Sequence, residues 1–160
     1  MDLVGLITLR EELADDCRIV SAAASRLDGF LAGAHNGSLE ATAFEIARCY
    51  NVIEQAALRV ARSFENHFEK SSGWHEALLK RMSLEIPGVR PALFSPEMKR
   101  TLDAIRRFRH LVHHAYDLEL RKDRVEEVAR TVAQVAGELA AVWDGFIKKV
   151  AEANGWQLPE

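Results

Sequence analysis

The sequence is poor in the features that mark secreted or membrane proteins. It has only two cysteines and four prolines in 160 residues, and no apolar run approaches the roughly 20 residues needed to span a bilayer. Cys17 and Cys49 fall on apolar helical stripes and have no metal-site spacing, which indicates reduced, buried thiols. The first residues, MDLVGLITLREELADD, lack the basic region that begins a signal peptide. We therefore expect a cytoplasmic protein with no membrane association.

The short motifs of several common enzyme classes are also missing. There is no Gly-rich phosphate loop, no GxSxG nucleophile elbow and no CxxC pair. A formal net charge of −3 excludes a globally basic nucleic-acid coat, although it permits a local basic patch. Hydrophobic residues make up 48% and charged residues 28%, which is typical of a globular protein, and the length favours one domain.

Apolar residues recur with helical spacing in five segments, and no strand-like alternation competes with them. The predicted helices span residues 3–31, 39–69, 74–85, 96–118 and 122–153. Ser95 as N-cap, with Pro96 at the first helical position, predicts a helix start, and Gly155 predicts a helix end. The fold class is therefore all-α: an antiparallel bundle of about four long helices and one short helix. We expect one domain over residues 1–153 and a loosely held tail over 154–160.

The segment RRFRHLVHHAY, residues 106–116, departs from an ordinary bundle helix. Arg109 and Tyr116 occupy positions of the apolar stripe, while His110 and His114, four residues apart, share a neighbouring face. An arginine there needs an anion, a partner chain or a wet groove, unless it snorkels or pairs with a core carboxylate. The histidine pair could bind a metal, but a third ligand would have to come from elsewhere.

The charge around this segment is locally basic. Between residues 99 and 114 there is one acidic residue, Asp103, and there are five basic residues: Lys99, Arg100, Arg106, Arg107 and Arg109. This surplus is either a solvated helix face or an anion-binding patch. The remaining histidines, His35, His67 and His75, are isolated and are predicted to be surface or capping residues.

Arg109, His114 and Tyr116 together form the pattern R-x4-H-x-Y. With the segment GWHEALL (73–79) and the loop IPGVRP (86–91), this pattern resembles HEPN-domain proteins, in particular the HepT-like ribonuclease toxins. The resemblance covers roughly residues 8–150 and implies a HEPN-like helical bundle.

The resemblance also implies a function. It implies a metal-independent endoribonuclease without a cofactor, acting on mRNA or tRNA as the toxin of a toxin–antitoxin pair. In that family the motif helices of a homodimer form one composite site, and a nucleotidyltransferase (MntA-like) antitoxin attaches AMP to the motif tyrosine. Arg109 and His114 would then be catalytic, Tyr116 would be the AMPylation site, and the implied substrate contacts are Arg106, Arg107, His110 and His113.

The chemistry of these residue types can be judged separately. Cleavage by internal attack needs a base on the 2′-OH, an acid on the leaving 5′-oxygen and a cation at the phosphorane; histidine and arginine suit these tasks. Positions five apart on an ideal helix differ in direction by about 140°, so Arg109 and His114 point apart unless the arginine reaches around or two protomers contribute. The alternatives are a catalytically silent HEPN adaptor that binds a nucleotidyltransferase or a nucleotide, and a helical scaffold or metal-binding bundle without an RNA role.

Overall fold

The computed structural model describes residues 1–33, 38–65, 72–114 and 120–159, and confirms the predicted all-α bundle of four long helices and one short helix. The helices in chain order are α1 (Leu3–Leu31), α2 (Leu39–Phe64), α3 (Trp74–Met82), α4 (Pro96–His114) and α5 (Lys122–Asn154). Within the described ranges, no helix is both long enough and apolar enough to cross a membrane.

The four long helices form a closed ring in the order α1, α2, α4, α5, and α2 also meets α5 across the middle. Helices α1 and α2 run antiparallel: Arg26 pairs with Glu45, whereas Asp16, nearer the start of α1, pairs with Arg59, nearer the end of α2. The short helix α3 packs on α2 and α4. It therefore lies beside the helix that carries the predicted motif.

Two helices end earlier than predicted. Helix α2 ends at Phe64, because Glu65 leaves helical geometry (φ −129°, ψ 122°) and its carboxylate is drawn into ion pairs with Arg81 and Arg90. Helix α3 ends at Met82 rather than near 85, where the Ser83 hydroxyl donates to a backbone carbonyl of the last turn at 2.8 Å. Of the predicted extension of α4 to residue 118, only the part up to residue 114 lies in the described residues, and that part is helical.

The helix boundary signals read from the sequence are confirmed. The Ser95 hydroxyl accepts a bond from the backbone N–H of Met98 at 3.0 Å, which satisfies one of the free donors at the start of α4. Gly155 adopts the left-handed conformation (φ +66°) that terminates α5. Beyond it, Trp156 and Leu158 pack against the core, and Arg10 donates to the carbonyl of Pro159 at 2.9 Å.

Helix α4 has a buried stripe and an uncovered one. Its buried residues are Met98, Leu102, Ile105 and Phe108. The second predicted stripe, which includes Ala104 and Leu111, contributes only Phe108 to the core among its described members; Ala104 is exposed and Leu111 is 45% exposed. Seven residues apart, these two lie on nearly the same side of the helix, so one apolar strip of α4 faces outward.

The two cysteines differ in their surroundings. Both are free thiols. Cys49 is fully buried, as predicted, and burial raises the pKa of its thiol to about 12. Cys17 is only partly buried, because it lines a cavity of about 460 Å³ between α1 and α5.

Candidate active site

Arg109 lies where α4 meets α2. Its guanidinium carbon is 5.8 Å from the centre of the Tyr50 ring, within the range of a cation–π contact. Its Nε is buried, and no residue in the described part of the chain hydrogen-bonds to it. The alternative of a core carboxylate partner gains no support, since no described carboxylate forms an ion pair with this arginine.

Tyr50 and Glu54 form a buried polar pair one turn apart on α2. They are 1% and 2% exposed. Burial raises the pKa of the Tyr50 hydroxyl, the charge of Glu54 and its interaction with the hydroxyl raise it further, and Arg106 and Arg109 lower it. The Tyr50 hydroxyl has no hydrogen-bond partner among the described residues. Its contact with Glu54 is therefore a close polar contact. Tyr50 therefore keeps its proton near neutral pH.

His75, at the start of α3, binds the same buried carboxylate. Its Nδ1 lies 2.5 Å from Glu54 Oε1, and its ring stacks on Trp74 with centroids 3.9 Å apart. The side chain is 31% exposed. The prediction of an isolated surface or capping residue is wrong for His75, because a carboxylate that is almost fully buried on α2 holds one nitrogen of its ring.

Arg106 and Arg107, the two arginines that precede Arg109 most closely on α4, are already paired. Arg106, 17% exposed, binds Asp103 at 2.8 Å and Glu76 at 3.4 Å. Arg107 is exposed and binds the other oxygen of Asp103 at 2.9 Å. The basic surplus predicted here is thus partly neutralised by Asp103 and Glu76, and the pair with Glu76 links α4 to α3.

The three histidines at the end of α4 are exposed. Nδ1 of His114 lies 3.0 Å from the carbonyl oxygen of His110, and the two rings stack with centroids 4.1 Å apart. His113 lies beside them on another face. The described residues contain no group of three His, Cys, Asp or Glu side chains that could hold a metal ion.

Tyr116, the predicted AMPylation site, falls outside the described residues, as do His35 and His67. For the remaining site predictions, the structure brings Arg106 and Arg109 to the junction of α2, α3 and α4. It leaves Arg107, His110, His113 and His114 on the exposed side of α4. His114 lies about 7.5 Å farther along the helix axis than Arg109.

Sequence reasoning missed Tyr50, Glu54 and His75 as members of the site. The signal for Glu54 was present: it follows Tyr50 by four residues and adjoins Ile53 of the apolar stripe, where a carboxylate is costly unless it is paired. No comparable signal identified its partner, because His75 comes from another helix 21 residues later.

A family model described as "HepT-like protein" matches residues 41–150. The match covers more than half of the chain and includes every residue of the candidate site. No curated protein and no solved structure matches the chain.

Proposed function

Because the chain belongs to the HepT-like protein family, we propose that it is a cytoplasmic toxin of a toxin–antitoxin pair and cleaves RNA without a metal ion. The observation that supports this proposal is the unsatisfied hydrogen-bond donor of Arg109. Its buried Nε has no partner among the described residues, and an anion from outside would satisfy it. A phosphodiester suits the arginine fork, which donates two parallel bonds and stays charged.

In this proposal Arg109 stabilises the phosphorane, and His114 transfers a proton. An exposed histidine can accept or release a proton near neutral pH, which is what internal attack by the 2′-OH requires. Because the nucleophile is the 2′-OH, the reaction selects RNA over DNA. Arg106, Arg107, His110 and His113 are proposed contacts to the RNA on either side of the scissile phosphate.

The proposed active unit is a homodimer. Arg109 and His114 differ in direction by about 140° on one helix. Unless the long arginine reaches around the helix, two protomers are needed to place both residues at one phosphate. The outward apolar strip of α4, with Leu111 45% exposed beside these histidines, supports the idea that α4 meets a second copy of itself. Burying that strip would help to hold the two motif helices together.

Control by a cognate nucleotidyltransferase antitoxin is the second part of the proposal. AMP attached to Tyr116 would add a negative charge seven residues beyond Arg109 and would obstruct the entry of RNA. The test is an intact-mass measurement after co-expression with an MntA-like nucleotidyltransferase. We expect added AMP units on the wild-type protein and none on Tyr116→Phe.

The nuclease itself is tested with purified protein, single-stranded RNA and excess EDTA. Arg109→Ala and His114→Ala should each remove cleavage while the dimer persists in size-exclusion chromatography. Arg130→Ala serves as the control, because Arg130 is a surface arginine of α5 paired only with Glu126 among the described residues. Unchanged cleavage by both motif variants would refute the proposal.

One observation favours a second candidate, a catalytically silent adaptor that binds a nucleotidyltransferase. Arg106 and Arg107 are already paired with acids, so phosphate would have to compete with Asp103 for both. A stable complex with the nucleotidyltransferase, without cleavage of any RNA and without toxicity on expression, would identify this function.

A further inference from the structure

We infer that His75, held by Glu54, donates the proton to the leaving 5′-oxygen, while His114 acts as the base on the 2′-OH. This inference rests on the proposed ribonuclease function and names a second proton-transfer residue for the same site. The R-x4-H pattern supplies one histidine, whereas the cleavage needs an acid as well as a base.

The geometry at His75 is that of an oriented proton-transfer group. Nδ1 is bound by a carboxylate that is 2% exposed, at 2.5 Å, and the ring is stacked on Trp74. These contacts fix the orientation of the imidazole and leave Nε2 as the nitrogen for exchange with a ligand. A carboxylate at Nδ1 holds the ring in one orientation, which a group that transfers a proton through its other nitrogen needs.

A series of side-chain contacts connects His75 to Arg109. Glu54 binds His75 on one side and lies against the Tyr50 hydroxyl on the other, and the Tyr50 ring lies under the Arg109 guanidinium. A second link joins α3 to α4, since Arg106 pairs with Glu76, the residue after His75. The histidine and the proposed phosphate-binding arginine therefore belong to one cluster at the junction of α2, α3 and α4.

The proposed step balances as follows. The 2′-oxygen attacks phosphorus while its proton passes to His114, and the bond between phosphorus and the 5′-oxygen breaks while His75 Nε2 gives its proton to that oxygen. The products are a 2′,3′-cyclic phosphate and a 5′-hydroxyl. Afterwards His114 carries the extra proton and His75 is neutral, and exchange with water restores both.

Glu54 and Tyr50 are positioning residues in this scheme. Glu54 orients His75 and balances its charge, and Tyr50 separates that carboxylate from Arg109. Without such a spacer the arginine could pair directly with Glu54, and neither group would remain available for the site.

The test compares two substrates that differ in the leaving atom. One is an RNA oligonucleotide with a single cleavable linkage; the other has sulfur in place of the bridging 5′-oxygen. A thiolate leaves without protonation, because thiols are far more acidic than alcohols. His75→Ala should lose about 10²–10⁴-fold in kcat on the oxygen substrate and recover most of that loss on the sulfur substrate. Arg109→Ala and His114→Ala should be impaired on both.

A matched control separates the loss of proton transfer from the loss of a buried carboxylate. Glu54→Gln keeps an acceptor for Nδ1 but removes the charge, so it should show a smaller loss that the sulfur substrate also rescues. Glu45→Gln changes a carboxylate on the same helix, 7% exposed and 2.5 Å from Arg26, and should leave cleavage unchanged. Circular dichroism of each variant checks the fold.

The outcomes separate this inference from the proposed function. If the wild-type protein cleaves RNA and His75→Ala cleaves normally, only the role of His75 is refuted. A loss in His75→Ala that the sulfur substrate does not restore makes the histidine structural and likewise overturns the inference. If the wild-type protein cleaves neither substrate, the proposed function fails and the inference fails with it.

Discussion

Replacing Arg109 with methionine should raise the stability of the protein while abolishing the proposed cleavage. Methionine keeps an apolar stem and removes the guanidinium. The Nε buried without a described partner costs about 1–3 kcal/mol, and the contact with the Tyr50 ring offsets about 0.5–1 kcal/mol of that cost. The net gain should be about 1 kcal/mol, or about 2–4 °C in Tm for a chain of this size.

The assay is urea unfolding followed by far-UV circular dichroism, with the midpoint compared at equal slope. It should be run at several protein concentrations, because the proposed dimerisation would make the midpoint concentration-dependent. Arg90→Met is the matched comparison. The Arg90 side chain is fully buried, pairs with Glu65 at 2.7 Å and donates to the carbonyls of Leu84, Pro91 and Arg81, so its loss should cost about 3–5 kcal/mol.

The contrast between the two variants tests the reasoning. Arg90 has its ion-pair and hydrogen-bond partners within the fold, whereas Arg109 is interpreted as an arginine whose partner is an anion from outside the protein. If Arg109→Met lowers the free energy of unfolding by 1 kcal/mol or more, the charge of Arg109 is satisfied inside the protein and the side chain does not need a phosphate. If it gains stability and still cleaves RNA, Arg109 is not the phosphate-binding group.

Three further predictions follow from the described contacts. Burial raises the pKa of the Cys49 thiol from 9.0 to about 12. Between these two pH values the folded state keeps a thiol proton that the unfolded state loses. The contribution of this proton to the free energy of unfolding is therefore fully present below pH 9 and falls by up to about 1.4 kcal/mol per pH unit between pH 9 and 12. Urea midpoints measured from pH 8 to 10 should show this slope, and Cys49→Ala should flatten it in that range; above pH 10 the raised pKa of the buried Tyr50 adds a slope of the same sign. If the proposed dimer forms, Leu111→Glu should shift it to a monomer in sedimentation experiments without changing the helicity of the protein; an unchanged dimer would exclude this strip of α4 from the interface. Ser95→Ala should cost about 1 kcal/mol in the same unfolding assay through loss of the N-cap, and no change would mean that the cap contributes little.

Much of the fold could be predicted from the sequence because helices depend on local patterns. The periodic apolar stripes predicted five helices, and the Ser95 and Gly155 signals marked ends that the structure confirms. The predicted helix ends are wrong where contacts with residues distant in sequence compete with local helix propensity. Helix α2 ends at Phe64 because Glu65 pairs with two arginines from later in the chain, and no local pattern carries that information.

For the candidate site, the sequence by itself determined that Arg109 occupies an apolar stripe position five residues before His114, since both facts depend only on spacing along one helix. The structure decided that Arg109 lies over Tyr50 and that Glu54, buried on α2, holds His75 from α3. It also showed that Arg106 and Arg107 are already paired with acids. Helical periodicity assigns a residue to a face of its own helix. Only the packing of α2, α3 and α4 determines which faces meet, and therefore which buried charges have partners.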